Sequence, residues 1–297
     1  AGKAYRLTAE YFDDGGERSA KLAWRMPELD RRDFLDLYGE AGEAVRSCDV
    51  TVAVVGINKS IEREGQDRTT IELPQDQQVF IQEVYKANPN TVVVLVAGSS
   101  LALHWENAHI PALLNAWYPG EQGGTAVAEA LFGDYNPGGR LPLTYYNALE
   151  ELPPFDDYDI RKGRTYQYFK GNPLYPFGYG LSYTDFAYQK LNVRTEADTL
   201  WVDFTLANAG KRDGDEVAQV YIQFPQTEEQ MPVKQLKGFR RVTVMKGKKV
   251  KVSIPICKQD LRIWDEQQEK FVTPSGKYNI LVGASSADIR LQEVVEL

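Results

Sequence analysis

Apolar residues change their spacing along this chain, and each change predicts a different element. In residues 4–12 (AYRLTAEYF) and 20–26 (AKLAWRM) apolar and polar positions alternate, and DDGGERS between them reads as a hairpin turn. From Arg31 to Cys48 the positions Phe34, Leu37, Ala41, Ala44, Val45 and Cys48 follow helical spacing. Val50–Val55 then reads as a strand buried on both faces. A helix opening at Leu73-Pro74 carries Val79, Phe80, Val84 and Tyr85 until Asn88-Pro89-Asn90 stops it. Thr91–Ala97 is a second buried strand, Ala112–Trp117 a weaker third, and Gln122–Phe132 a helix closed by Gly133.

Strands rich in valine that do not alternate, separated by helices, predict a mostly parallel sheet covered on both faces, an α/β/α sandwich. Ligands gather at the carboxyl ends of strands in such sheets. Residues 134–183 are dominated by Pro, Gly and Tyr, and their aromatics predict a long ordered connection. Beyond Phe186 the period becomes two. Leu200, Val202, Phe204 and Leu206 alternate with outward positions, as do Ala218, Val220, Ile222 and Phe224, then Val250, Val252, Ile254 and Ile256. About seven short strands in this stretch predict an immunoglobulin-like sandwich. The fold class is thus α/β followed by all-β.

Composition narrows the function. At 297 residues the chain suits two domains. Lys plus Arg number 34 against 42 Asp plus Glu, a net charge of −8 that argues against nucleic acid as a partner. No apolar run approaches the roughly 18 residues of a membrane span. Cys48 and Cys257 stand alone, with neither disulfide framework nor zinc spacing, and read as ordinary thiols. The chain opens in strand-like alternation with no initiator Met and no signal sequence, so we expect a fragment whose beginning is missing.

Candidate chemistry centres on GINKSIEREGQDRTT (56–70), at the carboxyl end of the first predicted buried strand. Arg63 and Arg68 can neutralise neighbouring carboxylates on a wet loop. Alternatively, one glutamate donates a proton within a partly dry cleft, with Asp67 and Arg68 bracing the loop. Two acids in one loop do not make a two-carboxylate site, because a retaining glycosidase pair sits on separate elements about 5–5.5 Å apart. His104 and His109 flank Glu106, but a metal would need another well-placed ligand. Ser99-Ser100 lacks the nucleophile-elbow pattern and reads as a cap for the next segment. Gly120–Gly124 lacks the lysine of a phosphate loop. Trp105, Trp117 and Tyr118 either line a sugar site or pack.

Several runs resemble one family. AWYPGEQGGTAVAEALFGDYNPGGRLPLTYY (116–146) is similar to the hallmark of the second domain of glycoside hydrolase family 3. YPFGYGLSYTDF (175–186) resembles that family's passage into a fibronectin type III-like domain, and DGDEVAQVYIQ (213–223) and KQLKGFRRVTV (234–244) resemble signatures inside it. SIEREGQDR resembles the loop of pattern E-x-E-G-x-D-R that carries the catalytic acid/base. Residues 1–27 resemble the last strands of a PA14 domain, a sugar-associated sandwich inserted in some members.

The resemblance implies four segments: 1–29 from a PA14-like domain, 30–150 an α/β sandwich carrying the acid/base loop, 151–185 an ordered linker, and 186–297 a fibronectin type III-like domain. It implies retaining, exo-acting hydrolysis of terminal β-D-glucosyl or β-D-xylosyl residues. Glu62 maps to the acid/base with Glu64 in reserve, Asp67 and Arg68 brace the loop, and Trp105 is a substrate contact. The Asp nucleophile's motif is absent, so it would come from a (β/α)8 barrel segment outside this chain. Oligosaccharides or aryl β-glycosides are the implied substrates, without metal or organic cofactor, and association into a homo-oligomer stays open. Polymer-degrading relatives fit a periplasmic or secreted setting. The contrasting reading is a non-catalytic carbohydrate-binding or assembly module.

Overall fold

The computed structural model describes Leu35 and residues 39–225 and 230–297. The predicted hairpin and PA14-like segment of residues 1–29 lie outside the described residues.

The first half is built from α1 (Glu40–Ser47), β1 (Thr51–Gly56), α2 (Gln75–Ala87), β2 (Thr91–Val96), α3 (His104–His109), β3 (Ala112–Asn115) and α4 (Gly123–Phe132). The three strands form one parallel sheet in the order β1-β2-β3. Parallel neighbours require a crossover, which α2 and α3 supply. Leu73, Ile81 and Val84 of the α2 segment are at most 2% exposed, and Leu73 and Ile81 share a core with Ala53, Val55, Val93 and Leu95. Asn88 ends α2 and ties it to α1 and to β1, its amide donating to the Cys48 carbonyl at 2.8 Å and to Thr51 Oγ1 at 3.3 Å.

Burial on both faces, expected of both long strands, describes β2 but not β1. Val52 and Val54 are 45% and 62% exposed while Ala53 and Val55 are buried. α2 covers one face of β1, and among the described residues the valine face is open. The predicted helix from Arg31 is seen from Glu40 onward.

Residues 134–183 carry their own backbone and aromatic contacts. Tyr145 and Tyr175 exchange backbone hydrogen bonds, Tyr175 stacks on Tyr179 at 5.3 Å, and Tyr166 stacks on Phe177 at 4.3 Å. A four-residue helix, α5 (Thr165–Tyr168), lies within this stretch.

The second half contains β4 (Phe186–Glu196), β5 (Thr199–Asn208), β6 (Gly214–Gln223), β7 (Gln235–Val244), β8 (Lys249–Cys257), a short hairpin of β9 (Ile263–Asp265) and β10 (Lys270–Val272), β11 (Lys277–Gly283) and β12 (Ile289–Glu296). Two antiparallel sheets, β12-β11-β6-β7 and β4-β5-β8, face each other. Leu200, Val202, Phe204 and Leu206 of β5 meet Val220, Ile222, Ile280 and Val282 across one core, all at most 3% exposed. The alternation expected of a sandwich is clean along most of β5, whereas in β6 and β11 it gives way to burial on both faces at Gln219, Tyr221 and Leu281. Cys48 and Cys257 are both free and exposed.

Candidate functional site

Parallel pairing puts the carboxyl ends of β1, β2 and β3 along one edge of the sheet, and the residues just past each strand meet there. After β1 the ladder runs one residue further, Ile57 N–H donating to Val96 O at 3.0 Å. Asn58 then turns the chain. Its side-chain oxygen accepts from Ser60 N and Oγ at 2.9 and 2.6 Å, and its carbonyl accepts from Ile61 N and Glu62 N at 2.9 and 3.0 Å. This local knot folds Glu62 back over the sheet edge.

The Glu62 carboxylate receives a donor from each neighbouring loop. Ser99 Oγ, past β2, donates to Oε2 at 2.5 Å. Tyr118 OH, past β3, donates to Oε1 at 3.0 Å. Arg68 Nε approaches Oε2 at 3.2 Å, the two side chains being 12% and 19% exposed. Arg68 also donates through Nη2 to Ser99 Oγ at 2.8 Å and to the Ser100 carbonyl at 3.0 Å. Hydrogen bonds to charged groups are worth about 1.5–3 kcal/mol each, so these contacts fix the base of the loop. Arg68 Nη1 is buried and has no hydrogen-bond partner among the described residues.

Glu64 is differently placed. Arg63 and Gln66 exchange backbone hydrogen bonds at 3.3 and 2.9 Å, closing a tight turn with Glu64 and Gly65 at its tip. Gly65 has φ +74°, the left-handed value that the third position of such a turn demands. Glu64 is therefore exposed at the tip of that turn. Asp67 is exposed and makes no hydrogen bond or ion pair among the described residues, whereas Arg68 pairs with Glu62.

One further expectation changes. Ser99 and Ser100 do not cap α3, which lacks a side-chain cap; Ser99 binds Glu62 and Ser100 lends its carbonyl to Arg68. Trp105 packs between Tyr85, edge-on at 5.6 Å, and His109, stacked at 4.5 Å. Among the described residues it makes no ring contact with Trp117 or Tyr118, so the three aromatics do not form one platform. Among the described residues no cluster of three or more His, Cys, Asp and Glu side chains could hold a metal, and no helix is long and apolar enough to cross a membrane.

Glu106 was the inconspicuous member of LHWENAHIP. It is 3% exposed, its Oε1 has no hydrogen-bond partner among the described residues, and burial raises its carboxyl above the ordinary value. The Tyr118 phenol is also raised, through desolvation and then its hydrogen bond to Glu62, which keeps it a donor.

Comparison with known proteins agrees with this architecture. Residues 18–183 match the family model described as glycosyl hydrolase family 3 C-terminal domain, and residues 216–286 match a fibronectin type III-like domain. A xylan 1,4-β-xylosidase of Xylanibacter ruminicola is 39% identical over 86% of this chain and 31% of its own length. A periplasmic β-glucosidase of Salmonella typhimurium is 36% identical over 92% of this chain and 37% of its own. The crystal structure of a Bifidobacterium adolescentis family 3 β-glucosidase superimposes with a TM-score of 0.82 at 30% identity, covering 92% of this chain and 42% of that one. The chain thus spans about a third of the length of the curated relatives it matches.

Proposed function

Because the chain belongs to glycosyl hydrolase family 3, we propose that it supplies the proton-transfer half of a retaining β-glycosidase acting on terminal β-D-glucosyl or β-D-xylosyl residues. The other half, an Asp nucleophile, is carried by a barrel segment apposed to the sheet edge that bears Glu62 and Glu64. The proton passes from protonated Glu64 to the glycosidic oxygen while the barrel aspartate attacks the anomeric carbon. The Glu64 carboxylate then takes a proton from water, which releases the sugar from the enzyme.

One observation carries the choice between the two glutamates. Both oxygens of Glu62 are occupied, by Ser99, Arg68 and Tyr118, whereas Glu64 stands exposed at the tip of a glycine turn. An acid must present a proton to substrate oxygen at hydrogen-bond distance, and Glu64 has the free reach. The family pattern alone had favoured Glu62 with Glu64 in reserve. In this reading Glu62 anchors the loop and Arg68 braces the anchor, while Trp105 is a packing residue. The reaction needs no metal or organic cofactor.

The test compares Glu64→Gln and Glu62→Gln in the protein together with its barrel, using aryl β-glucosides and β-xylosides with good and poor leaving groups. Glu64→Gln should slow poor leaving groups by roughly 100-fold or more and spare the glycosylation of activated ones. An external nucleophile such as azide should rescue its second step. If Glu62→Gln shows that pattern and Glu64→Gln does not, the assignment reverses. If the unmutated protein hydrolyses neither substrate, a non-catalytic carbohydrate-binding module takes its place.

A further inference from the structure

Tyr118 reaches Glu62 only because the backbone before it is bent in an uncommon way. β3 ends in register, with Ala116 N–H donating to Leu95 O at 2.8 Å. The next residue, Trp117, has φ +56°. A bulky side chain in the left-handed region is an outlier that persists only where its surroundings over-determine it. Ala197 and Glu269, which share a positive φ, lie between paired strands in hairpin turns. Trp117 instead lies at the carboxyl end of a parallel strand, one residue from the candidate site.

The surroundings that impose this bend are identifiable. Asn115 Oδ1 accepts from Trp117 N at 3.2 Å, and Asn115 Nδ2 donates to Tyr145 OH at 3.0 Å. Tyr145 is itself 2% exposed and locked to Tyr175 by backbone hydrogen bonds. On the far side the Tyr118 ring lies against Gly98, where an added Cβ would fall 2.4 Å from Cε2. A fixed line therefore runs from buried Tyr145 through Asn115 and the bent Trp117 to Tyr118 and Glu62.

We propose that Tyr118 is a positioning residue for the acid/base loop, and that the left-handed backbone of Trp117 is the strained element that aims its hydroxyl at Glu62. The proposal rests on the reading of this loop as a glycosidase acid/base. Nothing in the geometry requires the Trp117 indole, so the backbone conformation rather than the ring should matter. Asn adopts the left-handed region readily, whereas Val, branched at Cβ, does not.

Two measurements on the barrel-bearing protein test this. The first follows the Tyr118 phenol by NMR with ζ-13C tyrosine, its signal assigned by loss in Tyr118→Phe. In the unmutated protein and in Trp117→Asn it should titrate above the ordinary tyrosine value of 10.0, and in Trp117→Val it should return toward that value. The second compares kcat and KM on a poor-leaving-group β-glycoside. Tyr118→Phe and Trp117→Val should each lower kcat about tenfold or more, the loss expected of one hydrogen bond to a charged group, with KM within about twofold. Trp117→Asn should recover most of the loss seen in Trp117→Val. Equal losses in Val and Asn would assign the effect to the indole and overturn the proposal, as would an unchanged kcat in Tyr118→Phe. If the unmutated protein turns over no β-glycoside, the glycosidase reading fails. The NMR titration then still decides whether Trp117 aims Tyr118, and one identical titration in all three proteins would refute that.

Discussion

One of the contacts that join the two halves of the chain is open to a quantitative test. Arg140 Nη2 meets Glu216 Oε1 at 3.0 Å, with the side chains only 8% and 5% exposed. Arg140 lies in the connection and Glu216 in β6, so the pair bridges the junction. The guanidinium has few alternatives: Nη1 donates to its neighbour's carbonyl, Gly139 O, at 2.9 Å, and Nε has no partner among the described residues. Truncation by Glu216→Ala would leave a buried cation with one backbone acceptor. Breaking one side of a buried pair typically costs about 3–5 kcal/mol, because the surviving charge is desolvated and unpaired. At about 2–4 °C per kcal/mol for domains of this size, the expected fall in Tm is roughly 6–20 °C.

The pair as a whole should be worth far less than that. Replacing both partners with apolar groups of similar volume removes the desolvation cost together with the attraction. Arg140→Met combined with Glu216→Leu should therefore regain most of the lost stability. Differential scanning calorimetry on the unmutated protein, Glu216→Ala and the double variant compares the broken pair with the replaced one. A fall of less than about 2 °C for Glu216→Ala, or a double variant no better than that single one, would refute the reasoning, since either result means that water reaches Arg140 once Glu216 is gone.

Glu106 should make stability depend on pH. Its carboxyl is raised by burial, so the folded protein keeps the proton where the unfolded chain has released it; stability is highest near and below the ordinary value of 4.5 and declines as pH rises through the folded value. Glu106→Gln should flatten that decline, gaining stability at pH 7 relative to pH 4 in thermal melts, and an equal difference at both pH values would refute it. Gly98→Ala should displace the Tyr118 ring, since the new methyl would lie 2.4 Å from it, and lower kcat as Tyr118→Phe does while leaving overall unfolding nearly unchanged. Arg68→Lys keeps the charge but cannot reproduce the fork to Ser99 Oγ, Ser100 O and Glu62; activity should fall close to that of Arg68→Ala, and near-normal turnover would show that charge alone suffices.

The fold was legible wherever an element's own residues decide which face is buried. In β5 and β6 the period of two is written in Leu200, Val202, Phe204 and Leu206 and in Ala218, Val220 and Ile222, and each of these is at most 3% exposed. β1 was misread because Val-rich runs look alike whether one face or both are covered. The exposure of Val52 and Val54 is set by what packs on that face, not by the strand. The site was half legible for a similar reason. Glu62, Glu64 and Arg68 announced themselves by charge in one loop, but Ser99 and Tyr118 lie 37 and 56 residues from Glu62 and reach it only through the order β1-β2-β3. A signal for them did exist. Once three successive strands are read as parallel, the segments past their carboxyl ends must share one edge of the sheet. Polar side chains two to six residues beyond each strand then become candidate partners. Counted that way, Ser99 follows Val96 by three residues, Tyr118 follows Asn115 by three, and Glu62 follows Gly56 by six. What no such count could supply is the bend at Trp117, because a left-handed tryptophan is disfavoured locally and is imposed by Asn115 and Tyr145. Local preference and observed conformation disagree there, one residue from the candidate acid/base cluster, which is where a strained element has a use.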